Sequence, residues 1–275
     1  MDDVLKLRDY LYETTGMYFP DSKRYFFESR FARRLQALRL NSFREYLQFL
    51  MENPRREEEF LRLVQEVTIN ETSFFRNLPQ LRALTELVLP EITEIKEKLK
   101  FKQIRIWSAG CSSGEEPYTI AMMILESFPL IEREWRLEIV GTDINGEMIQ
   151  QAKEGLYGEY TMRNVPPAFR KCYFRKESSG YRIRETVKKF VRFEILNLMD
   201  DLSMVFLKKF DVIFCRNVLI YFDTNSKKKV VEHFYNNLLD HGYLFLGHSE
   251  SLFGISDKFK LIHFPGGMAY KKVKD

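Results

Sequence analysis

From residue 101 onward, apolar strand-like runs alternate with helical stretches, and that alternation confines the fold to a parallel sheet with helices on both faces. Ile104–Ser108 reads as the first strand and Tyr118–Phe128 as its helix. Leu137–Thr142 is the second strand, ending at Asp143, with a helix from about Asn145 to Lys153. Val191–Leu196 and the strongly apolar Phe210–Cys215 follow as third and fourth strands. Ser226–Leu239 is an amphipathic helix, His241-Gly242 a turn and Tyr243–Leu246 a fifth strand. Phe259–His263 and Ala269–Lys272 flank Pro265-Gly266-Gly267 as a terminal hairpin. Residues 157–190, with Pro166-Pro167 and Ser178-Ser179-Gly180, break the rhythm: a helix, then a small antiparallel excursion before the third strand.

Residues 1–89 differ in kind. Val4, Leu7 and Leu11, then Phe27, Phe31, Leu35 and Leu38, fall at three- and four-residue spacings, and no strand pattern intervenes. Ser42 is placed to cap Phe43–Met51, with Glu45 as the acid of a capping box. Asn53-Pro54 ends that helix, Glu57–Val67 forms another, and Leu78–Glu97 is a long connecting helix that Pro90 breaks or kinks.

The segment Ile104–Ile124, I-R-I-W-S-A-G-C-S-S-G-E-E-P-Y-T-I-A-M-M-I, joins a buried strand to a helix through a turn of small residues. Ligands of open α/β sheets bind at the carboxyl ends of strands, and this turn builds such an end. Its G-x-x-x-G spacing, Gly110 and Gly114, is not the fingerprint of a nicotinamide-binding turn. Glu115 and Glu116 repel a phosphate and suit a cation, although as bland helix-dipole acids they need no ligand. Asp143 reads either as a ribose-binding acid or as the cap of the next helix.

Asn70–Arg76, N-E-T-S-F-F-R, sets Asn70 and Thr72 beside two phenylalanines and an arginine where helical periodicity lapses; the plain alternative is a core aromatic pair with a surface arginine. Arg216-Asn217 follows the fourth strand at the sheet's carboxyl edge, and Tyr221 lies just beyond. Lys23, Arg24, Arg30, Arg33, Arg34 and Arg39 make a basic helical run, either a solvated face or a dock for an acidic partner.

The bulk properties exclude several classes. A net charge of +4 does not demand nucleic acid. No apolar run approaches a membrane span, and the amino terminus lacks a signal-peptide pattern. The 3 cysteines are widely spaced, which argues against a disulfide framework or zinc site and for a reducing cytoplasm. The histidines lack metal-ligand spacing, and G-H-S-E-S (247–251) lacks a nucleophile-elbow pattern, so no metal and no covalent nucleophile is expected.

Five segments together resemble the CheR family of chemotaxis receptor methyltransferases: N-E-T-S-F-F-R (70–76), S-A-G-C-S-S-G-E-E-P-Y-T-I-A-M (108–122), G-T-D-I (141–144), F-D-V-I-F-C-R-N-V-L-I-Y-F-D (210–223) and G-H-S-E-S. The resemblance implies a Rossmann-like class I methyltransferase sheet over residues 90–275, with a small antiparallel β insertion at about 171–190. It implies an all-helical receptor-recognition domain and linker over residues 1–89. The implied activity is methyl transfer from S-adenosyl-L-methionine to receptor glutamates, leaving S-adenosyl-L-homocysteine. The implied cofactor contacts are Asn70, Thr72, Arg76, Gly110, an acid of the Glu115-Glu116 pair, Asp143, Asn197, Leu198, Arg216 and Asn217. Arg76 and Tyr221 are expected at the reacting centre, and Arg30, Arg33 and Arg34 where acidic receptor helices dock. A cytoplasmic monomer without membrane insertion is expected. The competing readings are a cofactor-binding docking module that lacks strong catalysis and a small-molecule methyltransferase.

Overall fold

The computed structural model describes residues 2–273; Met1, Lys274 and Asp275, which the domain ranges include, lie outside the described residues. Four helices open the chain: α1 (Asp3–Thr15), α2 (Arg24–Leu38), α3 (Phe43–Glu52) and α4 (Arg56–Val67). The expected apolar stripe is their core, with Val4, Leu7, Leu11, Phe27 and Phe31 buried. Ser42 caps α3 by accepting the Glu45 N–H at 3.2 Å, while the Glu45 carboxylate accepts from Asn41, one residue before the cap. The connecting helix runs without interruption over residues 78–98 but is not α-helical throughout. It runs as α5 (Leu78–Ala83), a π turn (Leu84–Val88) and α6 (Leu89–Lys98). Pro90 sits in the first turn of α6, where its missing N–H is tolerated, and with the wider π turn just before it the chain stays helical through the expected break.

The alternating half forms β1 (Gln103–Ala109), α7 (Glu115–Ser127), α8 (Ile131–Glu134), β2 (Arg136–Asp143) and α9 (Gly146–Glu154). A small subdomain follows: β3 (Leu156–Tyr157), α10 (Pro167–Tyr173), β4 (Phe174–Glu177), β5 (Gly180–Ile183) and α11 (Glu185–Lys188). The chain then returns through β6 (Val191–Ile195), α12 (Asp201–Phe206), β7 (Phe210–Cys215), α13 (Thr224–Asn237), β8 (Leu238–Leu246), β9 (Phe259–Phe264) and β10 (Gly267–Lys272).

The main sheet has the order β6-β2-β1-β7-β8-β10-β9, parallel from β6 through β8. The terminal hairpin is part of this sheet, with β10 antiparallel to β8, so the sheet is mixed rather than purely parallel. The subdomain is a separate sheet, β3-β5-β4. Its third strand, Leu156–Tyr157, is too short to show periodicity and lies upstream of the expected excursion.

Strand β1 faces a core on each side, as a central parallel strand must. Ile104 and Ile106 join α5–α7 and the subdomain in one cluster. Trp107 and Ala109 join the other, which also contains the cores of α1–α4 and α13. The amino-terminal helices are therefore welded to one face of the sheet. Chain order reverses between β1 and β7, and this switch point leaves a crevice at their carboxyl ends.

Candidate active site

A cavity of about 580 Å³ occupies that crevice, within the about 300–1,000 Å³ typical of small-molecule sites. Its floor is the turn after β1. Gly110 has φ +74°, and a Cβ there would lie 2.4 Å from Val218 Cγ2, so only glycine lets the two loops close on each other. The Gly110 and Cys111 N–H groups both donate to the Thr142 carbonyl, at 2.8 and 2.9 Å. Gly114, at φ +91°, precedes α7 and packs where a side chain would strike Ala152 and Phe193.

Asp143 ends β2 and lines the cavity. One carboxylate oxygen accepts from the Ser112 N–H at 2.8 Å and the other from the Asn145 N–H at 2.9 Å. Burial pushes its carboxyl above the ordinary range, and the backbone donors oppose this. The helix-cap alternative is overturned: Asn145 caps α9 by accepting from Glu147 and Met148. Asp143 is thus free of that duty and bound to the glycine turn.

The adjacent acids diverge because neighbouring helical residues point in different directions. Glu115 turns away from the cavity and accepts from the Ser113 hydroxyl at 2.8 Å; burial pushes its carboxyl up to about 7. Glu116 lines the cavity, accepts from Ser108 at 2.7 Å and pairs with the Arg216 guanidinium at 3.1 Å. The structure therefore separates a pair that sequence could not.

Arg216 is buried, and desolvation lowers its pKa against the pull of Glu116. It donates to the Arg76 carbonyl at 2.6 Å, which ties the carboxyl end of β7 to the 70–76 segment. That segment is at once core and cavity wall. Phe74 and Phe75 belong to the core, Phe74 meeting Tyr157 and Phe174 edge-on. Asn70, Thr72 and the exposed Arg76 line the cavity. Tyr221 lines it beside them, half-buried, its hydroxyl donating to the Ile69 carbonyl at 3.4 Å; burial raises its pKa. Asn217, at φ +60°, also lines the cavity. Asn197 and Leu198 do as well, although the Asn197 amide donates to the Thr14 carbonyl at 2.7 Å and anchors α1 to this wall.

One wall was not foreseen. Tyr18, Phe19, Ser22 and Lys23, between α1 and α2, and Tyr25, in the first turn of α2, border the mouth. Met17 pairs with Phe222 as an isolated bridge, and the Tyr18 N–H donates to the Tyr221 carbonyl at 2.8 Å. The only local signal is an aromatic run, Y-F-P, that fits no helix and is bounded by Gly16 and Pro20.

The three docking arginines lie outside the cavity lining. Arg33 is half-exposed and reaches Glu66 at 3.4 Å, and Arg30 lies over the Phe26 ring. Arg34 is not on a free face. It grips the buried Glu59 with two bonds of 2.9 and 2.7 Å, and Tyr46 donates to the same carboxylate. Arg34 is thereby corrected from a docking residue to a bundle residue, because burial of Glu59 demands a partner.

Residues 2–68 match the family model for the all-alpha domain of CheR methyltransferases, and residues 70–268 match the model for their SAM binding domain. The chain is 39% identical to chemotaxis protein methyltransferase 2 of Vibrio cholerae serotype O1, over 98% of this chain and 92% of that protein. It is 37% identical to a chemotaxis protein methyltransferase of Borreliella burgdorferi, over 92% and 89% respectively. A chemotaxis protein methyltransferase 1 of Pseudomonas aeruginosa is 34% identical over 98% and 97%.

Proposed function

The chain belongs to the CheR methyltransferase family, and on that premise we infer how its cavity serves the reaction. It is an S-adenosylmethionine-dependent protein-glutamate O-methyltransferase that acts on chemoreceptors. The observation that carries the assignment of the site is the meeting of Asp143, Glu116, Asn70, Arg76 and Tyr221 in one cavity at the sheet's switch point.

The residues present fit the cofactor. Two acids reach a cavity walled by Cys111, Ile144, Leu198 and Val218, and Arg216 Nε is buried without a hydrogen-bond partner among the described residues. A ligand carboxylate would satisfy that donor. When bound, S-adenosylmethionine supplies an electrophilic methyl group on a sulfonium. Asp143 would accept from the ribose hydroxyls, Glu116 would face the ammonium, and Arg216 would hold the carboxylate. Asn70, Thr72, Asn197, Leu198, Asn217 and the Gly110 turn would complete the wall.

The acceptor needs no general base, since a glutamate with a pKa of about 4.3 is already ionised at neutral pH. Alignment and exclusion of water are what remain for the protein to supply. Arg76 and Tyr221 orient the incoming carboxylate at the mouth, and the Tyr18–Tyr25 wall screens it from water. We assign receptor recognition to the α1–α4 part of residues 1–89, with Arg30 and Arg33 on its outer face. Residues 90–275 hold the methyltransferase unit, and the β insertion projects from it. Among the described residues no helix is long and apolar enough to cross a membrane. A cytoplasmic monomer that meets receptors at the membrane surface is the working arrangement.

The test is to incubate labelled S-adenosylmethionine with the protein and receptor-containing membranes. Base-labile label on the receptor is expected; tight cofactor binding without label would sink the reading in favour of a docking module. Arg76→Ala and Tyr221→Phe should each slow transfer while leaving cofactor affinity within about threefold. Wild-type rates for both variants would remove them from the reacting centre.

A further inference from the structure

The G-H-S-E-S stretch follows β8, and its Glu250 does not line the cavity. Glu250 is only 7% exposed, yet among the described residues no salt bridge holds it; Arg216 acts on it only through space. Its carboxylate instead collects four backbone N–H groups. One oxygen accepts from Asn217 at 2.8 Å and Gly247 at 2.6 Å; the other accepts from Val218 at 2.9 Å and, more weakly, Ile220 at 3.3 Å. A buried carboxylate persists only when its acceptor capacity is filled, and here one loop fills most of it.

That loop, residues 216–221, presents Arg216, Asn217 and Tyr221 to the cavity. Between them, Val218 presses on Gly110. We propose that Glu250 is a positioning residue for methyl transfer. It fixes the backbone from Asn217 to Ile220 so that Tyr221 sits at the mouth and Val218 seats the glycine turn. The inference deepens the methyltransferase reading and rests on it. Two carboxylates thus clamp the loop after β7. Glu116 holds it through the Arg216 side chain, and Glu250 holds it through the main chain.

Glutamine keeps the shape of Glu250 but replaces one double acceptor with an NH₂ group, which must then face two N–H donors. Aspartate keeps both acceptor oxygens on a shorter stem. The full-length chain is compared as wild type, Glu250→Gln, Glu250→Asp, Tyr221→Phe and the Glu250→Gln/Tyr221→Phe double variant. Measured are receptor-methylation kcat and KM, S-adenosylhomocysteine affinity by calorimetry, and the thermal melt. Displacement of reacting groups by about an ångström costs up to about a hundredfold. Glu250→Gln is therefore expected to melt cooperatively, lose roughly 10–100-fold in kcat with receptor KM within about twofold, and bind S-adenosylhomocysteine several-fold more weakly.

Glu250→Asp should recover part of the kcat. In the double variant, Tyr221→Phe should cost little more than Glu250→Gln alone, because the tyrosine is already misplaced. Wild-type kcat in a folded Glu250→Gln protein overturns the proposal. So does a loss that tracks only the folded fraction, or strictly additive costs in the double variant. If Glu250→Gln does not fold, Glu250→Asp with Tyr221→Phe runs the same cycle under the same criteria. An inactive wild type would instead overturn the methyltransferase reading, while the affinity comparison still reports on the loop.

Discussion

The floor and the mouth of the cavity are built on opposite plans. The floor comes from one contiguous turn plus the ends of β1, β2 and β7; Ser108, Ser112, Glu116 and Asp143 are already hydrogen-bonded there. The mouth comes from segments about 200 residues apart in sequence, and several of its side chains stand in solvent: Tyr25 is 86% exposed and Ile69 54%. A floor with satisfied polar groups is preorganised for one small cofactor, which lowers the cost of ordering on binding. A mouth of exposed aromatic and basic groups suits a macromolecular acceptor that brings its own surface. The same division runs through α2, where Arg34 is locked into the bundle and Arg33 faces outward.

The largest effect that tests this contrast is in the bundle. Arg34→Ala leaves the Glu59 carboxylate buried with, among the described residues, Tyr46 as its remaining partner, so stability should fall by about 3–5 kcal/mol in chemical denaturation. A loss below 1 kcal/mol would place Arg34 back on the free face.

Next comes the acid beneath the floor. Glu115 has a folded-state pKa raised to about 7 from its ordinary 4.5, so between these values the folded chain keeps a proton that the unfolded chain has released. Its stabilising contribution is full below pH 4.5 and drains away as pH rises through 7, by roughly 3 kcal/mol. Glu115→Gln should flatten that decline. Parallel stability–pH curves for the two proteins would show that Glu115 does not titrate in this window.

Asp143→Ala should weaken S-adenosylhomocysteine binding by about a hundredfold, since hydrogen bonds to a charged group are worth about 1.5–3 kcal/mol each. Calorimetry decides; a change under threefold would mean that the floor binds its ligand elsewhere. The smallest effect belongs to Arg33→Ala. Stability should stay within about 0.5 kcal/mol, because its pair with Glu66 is half-exposed. Receptor KM should rise a few-fold at low salt and less at high salt. An unchanged, salt-independent KM would move the docking face off α2.

Legibility followed the range of the interactions. The strand–turn–helix at 103–127 was readable because apolar strand, small-residue turn and helix-opening acids are neighbours in the chain. The Ser42 cap and the Phe27/Phe31 stripe were readable for the same reason. The two-residue β3 was not, since two residues carry no period, and its pairing with β5 is what makes it a strand. The π turn before Pro90 was not legible either: the proline suggested a break or kink, and the structure widens the preceding turn instead and stays helical. Tyr18 carried no signal, and Lys23 was read only as part of the basic helical run and not as cavity wall, because the contact of residues 17–18 with 221–222 is set by how α1 packs on the sheet.

By itself the sequence determined the alternation that makes a sheet, the glycine turn that opens it to a ligand, and the motif set that marks the family. These are matters of local conformational preference, written in neighbouring residues. Tertiary structure decided which of Glu115 and Glu116 reaches the cavity, which arginine of α2 is locked into the bundle, and why Glu250 is buried. Each of those turns on where a charge finds its partner, and a side chain's partner is chosen by packing between distant elements rather than by its place in the chain.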